Sequence, residues 1–388
     1  MKIKLLSCLI LTLLFNQTLI AQNLFITSKD SVHGKPKSIV GLGGYVKLVA
    51  TYDYLGLPNG SSFNMIEIPT INDVANQTVS FNAWQSRIYV GNTYTTKKNE
   101  TINAYIEGDF HGNAGGGFRL RYAFVNFNNW TIGLANSAFT NLDVWVNISD
   151  FDGPPVGTWV RSPQIKYTLN LNESNQFNFS IEDPVSDYRT NTILDTVISS
   201  TKSYIPDVVS NYRHQFDGGN FQASGVFRAI SYKNGDQRQQ TYGYGATFSG
   251  TFKTFKRDTF YYQALAGKGI ERYLVGLGGY GLDAISFNNK LVALPVYGGY
   301  VGYTHIWSHI GSTLNMNSSF MYGYQKVDNK LYDDYADVFV GNYYSANLFF
   351  MPIERINMGF EFIYGDKKDY ENNLGRNHRA YFTMEYYF

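Results

Sequence analysis

The sequence predicts an all-β protein, a transmembrane antiparallel β-barrel of about 16 strands. Apolar and polar residues alternate along the last ten residues, similar segments recur from residue 41 onward, and the connections between them are in turn long and short. Alternation with a period of two indicates a strand with one apolar and one polar face. Outer-membrane barrels have short periplasmic turns and long external loops, whereas a soluble sandwich has no reason to sort its loops by length.

The N-terminus has the residue order of a secretory signal peptide. Lys2 and Lys4 precede an apolar run at 5–15, and a small residue, Ala21, follows. This order is typical of a leader that is removed on export, so we expect residues 1–21 to be a signal peptide. We expect residues 22–40 to form a short, polar periplasmic segment and residues 41–388 to form the barrel as a single domain.

The composition of the mature chain excludes several classes of protein. Loss of the leader removes two of the 32 basic residues, which leaves 30 against 31 acidic ones, and it removes the only cysteine, Cys8. No disulfide framework or thiolate site can form, and a near-neutral chain is not expected to bind nucleic acid. No later stretch has the roughly 20 apolar residues of a membrane-spanning helix, so an exported chain would enter a membrane by closing strands into a barrel.

The segments can be followed in order along the chain. A first strand near residues 46–54 precedes a long loop at about 55–78. Further long loops are expected at about 138–160, 185–203, 268–293 and 326–339. Short turns are expected near 93–99, 128–129, 172–175, 217–219, 308–311 and 351–352. An even number of strands then places both termini on the same side of the membrane.

Strand parity predicts which charged side chains face the lumen. An Arg or Lys on the lipid face at mid-membrane costs roughly 2–4 kcal/mol, so the polar face must point inward. In the fourth strand this parity assigns Leu120, Tyr122 and Phe124 to the lipid. The parity of the strands that carry Arg213 and Arg228 is ambiguous. Candidate pore-lining residues are Lys47, Arg87, Glu107, Asp109, Arg119, Arg121, Arg161, Lys166, Glu182 and Arg213.

The last strand carries the signal for the cellular location. One face of residues 379–388 consists of Phe388, Tyr386, Met384, Phe382 and Ala380. The chain ends on an aromatic residue, which resembles the C-terminal strand of Gram-negative outer-membrane barrels, where a terminal Phe is part of the assembly signal. We therefore assign Phe388 and Tyr386 to an assembly signal and the protein to the outer membrane of a Gram-negative bacterium.

Seven short motifs follow one another along the chain. They are YIEGDF at 105–110, RLRYA at 119–123, FDGP at 151–154, RSPQIKY at 161–167, IPD at 205–207, GKGIERY at 267–273 and THIW at 304–307. In this order and spacing they resemble the motifs of the DcaP-like outer-membrane porins. The resemblance implies a trimer of 16-stranded barrels, each narrowed by an inward-folded third loop. It also implies passive uptake of small hydrophilic solutes, with anions such as dicarboxylates favoured. Asn211, Gly311 and Lys166 stand where the pattern has Arg, which weakens the expected anion preference.

The inward charges have two interpretations. As a cationic wall they would guide anions past the constriction, because rings of Arg or Lys offset the desolvation of a passing carboxylate. Alternatively they pair with Glu107, Asp109 and Glu182 and brace the barrel without sorting solutes. Three acidic residues of the third loop, Asp143, Asp150 and Asp152, are constriction-loop candidates. They would repel anions, bind Ca²⁺, or simply solvate and cap turns.

Three functions other than solute diffusion are open to an exported β-protein. A non-conducting structural or adhesive barrel would have a plugged lumen, and a soluble secreted β-protein would stay out of the membrane. An outer-membrane hydrolase would use His305 or His309, but no Gly-x-Ser-x-Gly elbow occurs and Ser308 and His309 fall in an expected periplasmic turn. We expect no enzymatic activity and no cofactor. The expected partners are small solutes, lipid and lipopolysaccharide, and two further copies of the chain.

Overall fold

A computed structural model describes residues 24–32, 34–58, 60–71, 76–113, 115–190, 197–234, 237–255, 257–287, 290–308, 314–328, 340–369 and 371–388. Sixteen antiparallel strands form a closed barrel, and we number them 1 to 16. In order they are Ser38–Asp53, Thr78–Asn82 with Arg87–Thr95, Thr101–Gly112, Gly117–Phe127, Trp130–Asn136, Arg161–Asn170, Asn175–Glu182, Asp207–Phe216, Gly219–Asn234, Gln237–Thr254, Asp258–Lys268, Pro295–Ile306, Asn315–Val327, Val340–Ile353, Ile356–Lys368 and Leu374–Tyr387.

Pairing of strand 16 with strand 1 closes the barrel. The register runs from Arg379 opposite Asp53 to Tyr387 opposite Tyr45. Strand 2 is interrupted at residues 83–86, and both of its halves pair with strand 1. Closure leaves no open sheet edge within the wall, which is the condition for a sheet to span a lipid bilayer. The predicted all-β barrel of about 16 strands is confirmed.

The connections sort by length as the sequence predicts, with one difference. The first, third, fourth, sixth and seventh loops, at 54–77, 137–160, 183–206, 269–294 and 328–339, all lie at one end. Connections at the other end are short turns. Three connections at the loop end, at 113–116, 235–236 and 369–373, are also short, so length does not alternate along the whole chain. The loop end is the external end in barrels of this kind.

A β-bulge corrects the parity of strand 4. The register passes from Leu120 opposite Gly108 to Tyr122 opposite Glu107, so Arg121 is an extra residue in the strand. A bulge of this kind lets two consecutive side chains face the same side. Arg121 and Tyr122 therefore both point inward, and the assignment of Tyr122 and Phe124 to the lipid was wrong. Beyond the bulge, Val125 faces outward.

Residues 24–40 contain more structure than a featureless segment. Leu24–Thr27 pairs with residues 39–42 of strand 1, and Ser31–Val32 pairs with Lys35–Pro36. Strand 1 begins at Ser38, which pairs with Tyr94 of strand 2, and it therefore extends below the level of Phe388, whose backbone pairs with Gly44. The expected signal peptide at 1–21 lies outside the described residues.

The long loops pack into the lumen instead of standing away from it. Buried apolar residues of the first, third and sixth loops form one core with inward residues of the wall; among them are Phe63, Phe139, Val156 and Leu277. The fourth and sixth loops add a four-stranded sheet of Val185–Thr190, Val197–Lys202, Ala284–Phe287 and Lys290–Ala293. The inward-folded third loop is therefore confirmed. Among the described residues, no helix has the length and apolar character needed to cross a membrane.

Candidate functional site

The third loop lies against the inner wall because that wall is lined with glycine. A Cβ atom at Gly302 would lie 2.6 Å from a methyl carbon of Val146. One at Gly323 would lie 3.0 Å from Val156. A residue with a side chain would therefore push the loop away from strands 12 and 13. The glycines of these strands allow close approach of the loop, and the loop in turn narrows the channel.

Polar contacts fix the far end of the loop. The backbone N–H groups of Ser149 and Asp150 both donate to the Glu361 carboxylate on strand 15, the second at 3.2 Å. Asn347 on strand 14 donates to the Asn147 carbonyl at 2.9 Å. Two backbone donors on one carboxylate form a charge-assisted clamp. The loop therefore crosses the lumen from strands 5 and 6 to strand 15.

Glu182, predicted to line the pore, instead anchors the base of the third loop. Its carboxylate accepts hydrogen bonds from the Ser137 hydroxyl at 2.8 Å and the Ala138 N–H at 3.2 Å. The Tyr273 hydroxyl of the sixth loop lies 3.4 Å from the other carboxylate oxygen. Glu182 is 1% exposed, so it is shielded from the lumen water.

The first and sixth loops hold the third loop from above. Phe139 packs edge-on against Tyr273, with ring centroids 5.3 Å apart. The Val275 N–H donates to the Gly157 carbonyl at 2.9 Å. Asn64 of the first loop donates to the carbonyl of Gly276 at 3.0 Å. These contacts join three segments that are distant in sequence into one packed layer at the loop end.

A network of charges covers the wall of strands 2 to 4, where Phe151 of the third loop lies over the guanidinium groups of Arg119 and Arg121. Arg119 donates to both oxygens of Asp109, at 3.0 and 2.7 Å. Arg121 bridges Glu107 at 2.9 Å and Asp109 at 2.8 Å, and Arg87 lies 3.2 Å from Glu107. Glu107, Asp109 and Arg121 are buried, whereas Arg87 and Arg119 are partly exposed. The bulge in strand 4 brings Arg121 into this network.

Arg161 and Lys166 differ from the other basic residues of this wall. No ion pair within the described part of the chain involves either of them. The Arg161 guanidinium lies over the rings of Tyr122 and Trp159, at 5.5 and 5.9 Å from their centroids. Lys166 lies 3.5 Å from the Asn136 carbonyl. Both side chains are partly exposed, so their charges can reach a solute.

Other predicted lining residues are paired. Lys47 lies 2.9 Å from Glu385, and Arg213 forms an ion pair with Asp143 of the third loop. Parity in strand 8 places Arg213 inward, and Arg228 of strand 9 is inward and fully buried. The ion pair between Arg213 and Asp143 therefore joins the third loop to strand 8.

The remaining acidic residues of the third loop have different environments. Asp150 is 3% exposed and accepts hydrogen bonds from the Phe63 N–H at 3.0 Å and the Tyr343 hydroxyl at 3.2 Å. Burial, with the neighbouring charges of Asp152 and Glu361, raises the pKa of Asp150 well above its usual range. Asp152 is half-buried. Within the described residues, no group of three or more His, Cys, Asp or Glu side chains is arranged to hold a metal ion.

We expect the third loop to be less stable at high pH. The pKa of Asp150 is higher in the folded protein than in the unfolded chain. The uncharged carboxyl therefore stabilises the fold fully at pH values below the pKa of the unfolded chain, and this stabilisation is lost as the pH rises toward the pKa of the folded protein. Each pH unit within that window costs about 1.4 kcal/mol. Thermal denaturation in detergent at a series of pH values measures the effect. Asp150→Asn should flatten the profile, and an unchanged slope in that variant would contradict the assignment.

Sequence reasoning missed several buried ion pairs. Arg379 on strand 16 donates to Asp53 on strand 1 at 2.6 Å, and its guanidinium also donates to the Ser62 carbonyl of the first loop. Arg379 and Asp53 are 326 positions apart, and only the register of the closing strands makes them neighbours. Arg228 and Glu361 bind loop groups that no spacing in the sequence identifies.

His305, one of the two histidines considered for a hydrolase, makes contacts that stabilise the barrel. His305 Nδ1 is 2.8 Å from Asp258, and the Asp258 carboxylate also accepts the Tyr303 hydroxyl and the Ile306 N–H. The His305 ring packs edge-on against Trp307. Ser308 bonds to the Met316 backbone instead of the histidine. His309 lies outside the described residues. These contacts brace the turn end of strands 11 and 12.

A closed 16-stranded barrel with an apolar exterior, a charged interior and a loop folded across its lumen is an outer-membrane porin channel. The outer membrane of a Gram-negative bacterium is its location. The chain belongs to the DcaP outer membrane protein family, whose model matches residues 16–388. Among curated proteins, no sequence matches this chain.

Solved structures have the same fold. The outer membrane channel DcaP of Acinetobacter baumannii is 20% identical, with a TM-score of 0.78, and the match covers 94% of this chain and 99% of that one. An anion-selective porin from Comamonas acidovorans is 10% identical, with a TM-score of 0.60, and the match covers 90% and 100%. OmpT of Vibrio cholerae is 10% identical, with a TM-score of 0.56, and the match covers 92% and 100%.

Proposed function

We propose that the channel passes small hydrophilic solutes, favours anions such as dicarboxylates, catalyses no reaction, and works as a homotrimer. The excess of positive charge on one wall carries the proposal. Strands 1 to 6 face the lumen with six basic side chains, Lys47, Arg87, Arg119, Arg121, Arg161 and Lys166, against three acidic ones, Asp53, Glu107 and Asp109. Strand 16 adds one of each sign, Arg379 and Glu385. Three positive charges therefore remain unbalanced on this wall.

Of the three acidic residues of the third loop, only Asp152, which is half-buried, is left to oppose them. Asp143 is neutralised by Arg213, and the raised pKa of Asp150 favours its uncharged form. A wall with a net positive charge, facing a loop of low charge, lowers the desolvation cost of a passing carboxylate. Paired cations still contribute to the field, but the unpaired Arg161 and Lys166 offer free donors. The two interpretations from the sequence therefore apply to different residues: most of the cations brace the wall, and these two bind solute.

Replacing Arg161 and Lys166 together with glutamine should reduce anion preference. The double variant removes two of the three unbalanced charges but breaks no ion pair, so its thermal stability should stay near that of the parent. The measurement is the reversal potential of the purified protein in a planar bilayer under a salt gradient. We expect an anion-side potential for the parent and a shift toward zero for the variant.

A matched control makes the same type of substitution at the other end of the barrel. Replacing Arg257 and Lys253 with glutamine removes two basic residues at the turn end of the barrel, away from the third loop. This control should keep the parent's reversal potential. If the parent itself prefers cations, the protein is still a channel, but the proposal that it favours carboxylates is wrong. If it gives no current, the packed loops close the lumen and the non-conducting barrel replaces this proposal.

The outward face of the barrel supports the trimer. Strongly exposed tyrosines form a row at the loop end of strands 10 to 14: Tyr242, Tyr244, Tyr297, Tyr322 and Tyr344. At the loop end of strands 2 to 6, the exposed apolar side chains among the described residues include Phe81, Phe110 and Phe118 but neither tyrosine nor tryptophan. Because tyrosine and tryptophan mark the lipid boundary, we assign strands 2 to 6 to contacts between protomers. Conductance that closes in three equal steps would support this assignment, and single steps would oppose it.

A further inference from the structure

A shallow groove of about 550 Å³ lies at the loop end of strands 10 and 11, where Tyr244, Ala246, Ala266, Lys268 and Pro295 line it. Small residues form its floor. The register aligns Ala246 with Ala266, and Ala264 with Gly299, in two successive rows across strands 10 to 12. All of these side chains point outward, because the alternating residues Thr247 and Leu265 are buried inside the barrel. The groove is therefore a recess in the lipid-facing surface.

Aromatic side chains wall the groove on both sides. Tyr244 and Phe248 on strand 10 flank the alanines on one side, and each is about half exposed. Tyr297 on strand 12 and Tyr324 on strand 13 flank them on the other side, in the same rows. The recess is thus narrow, apolar and open at its upper end, which is a shape that suits a hydrocarbon chain.

Lys268 lines the upper end of this recess, and Lys326, on strand 13, lies opposite Tyr297. Lys268 Nζ is 4.9 Å from the centre of the Tyr244 ring, and Lys326 Nζ is 5.4 Å from that of Tyr297. Lys326 lies 3.8 Å from Asp328, a loose contact, and no carboxylate in the described residues pairs with Lys268. The upper end therefore carries a net positive charge. Lysine at this depth extends its ammonium group to the level of the lipid headgroups.

We propose that this groove binds a phosphate-bearing lipid of the outer leaflet, with one acyl chain in the recess and a phosphate on Lys268 and Lys326. Two lysines complement a phosphate in charge, and the apolar recess below them complements a chain. The loop end is external, so the lipid comes from the outer leaflet. The tyrosines that flank the recess are typical of a surface that contacts lipid, which favours a lipid over a second copy of this chain.

The test is lipid retention by the full-length protein in detergent, followed by native mass spectrometry with diphosphorylated lipid A. Lys268→Gln with Lys326→Gln should weaken retention about tenfold or more, because each lysine near a headgroup contributes to anionic lipid binding. Ala266→Phe fills the recess and should abolish retention without removing a charge. Matched controls are Lys253→Gln at the turn end and Ala380→Phe on the outward face of strand 16, and both should retain the lipid.

Three results would overturn the proposal. Equal retention of a phosphate-free glycolipid with the same chains would exclude a role for the lysines. Displacement of the lipid by millimolar inorganic phosphate alone would exclude the chain site. Disulfide-linked dimers of Ala266→Cys, formed in native membranes, would assign the groove to a contact between copies of this chain. The lipid site is supported if the parent and both controls retain lipid A while the lysine double variant and Ala266→Phe lose it.

Discussion

Replacing Arg228 by leucine is expected to destabilise the loop layer by about 3–5 kcal/mol, the usual cost of breaking a buried ion pair from one side. Arg228 is fully buried on the inner face of strand 9. It donates to Asp283 at 2.8 Å, to the Gly269 carbonyl at 3.0 Å and to the Val185 carbonyl at 2.6 Å. Leucine leaves the Gly269 carbonyl without this donor and removes the cation beside the buried Asp283, whose carboxylate keeps only the backbone N–H groups of Asp187 and Arg272. The fourth and sixth loops should then detach from the wall.

Limited proteolysis and heat denaturation in detergent together measure this effect. New cleavage should appear in the fourth and sixth loops at temperatures where the barrel itself still resists. Arg228→Lys keeps the charge but loses the planar fork, so its loss should be intermediate. Arg213→Leu is the matched control, since Arg213 is partly exposed and pairs with one carboxylate, and we expect a loss within about 1 kcal/mol. Equal losses for Arg228→Leu and Arg213→Leu would show that the buried network has no special role.

Release of the third loop is expected to widen the channel. Glu361→Ala removes the carboxylate that accepts the N–H groups of Ser149 and Asp150, so the far end of the loop loses its clamp. Because a barrel of this size has an aqueous lumen when no loop fills it, conductance should rise about twofold or more, with added noise. Gly302→Leu should act in the same direction, since a side chain there displaces Val146.

The measurement is single-channel conductance at high salt, where loss of one carboxylate has little electrostatic effect. Glu385→Ala provides the matched control. It removes a lumen carboxylate from strand 16 that pairs with Lys47, while the clamp on Ser149 and Asp150 stays intact. This control should conduct like the parent. If Glu361→Ala also conducts like the parent, the contacts of the first and sixth loops are sufficient to hold the third loop.

Much of the wall could be predicted because one physical rule governs every strand. The outside of the barrel is apolar on every strand, so alternation assigns Lys47, Arg87 and Arg119 to the inside without knowledge of their neighbours. The rule fails where the backbone leaves the regular pleat. The bulge at Arg121 turns Tyr122 inward, and no change in composition marks it.

The site was harder to predict because its contacts are long-range. Sequence supplies the charges of Glu182 and Asp150, but it does not show that loop backbone covers the first or that Phe63 and Tyr343 bury the second. Both were expected to meet water. The packed layer of three loops changes their environment, and it arises from the positions of glycines and aromatic residues on distant strands. A family resemblance predicts the inward loop, but not which side chains hold it.

The closing pair of the barrel has a kinetic consequence. Asp53 and Arg379 are 326 residues apart in the sequence, yet their ion pair joins the first strand to the last. Loop-closure entropy opposes such a contact until the intervening hairpins have formed, and folds dominated by distant contacts form slowly. The first strand must therefore keep an open edge until the other strands have paired. During that interval the unfinished barrel is exposed to misassociation, and its yield should depend on chaperones that cover this edge.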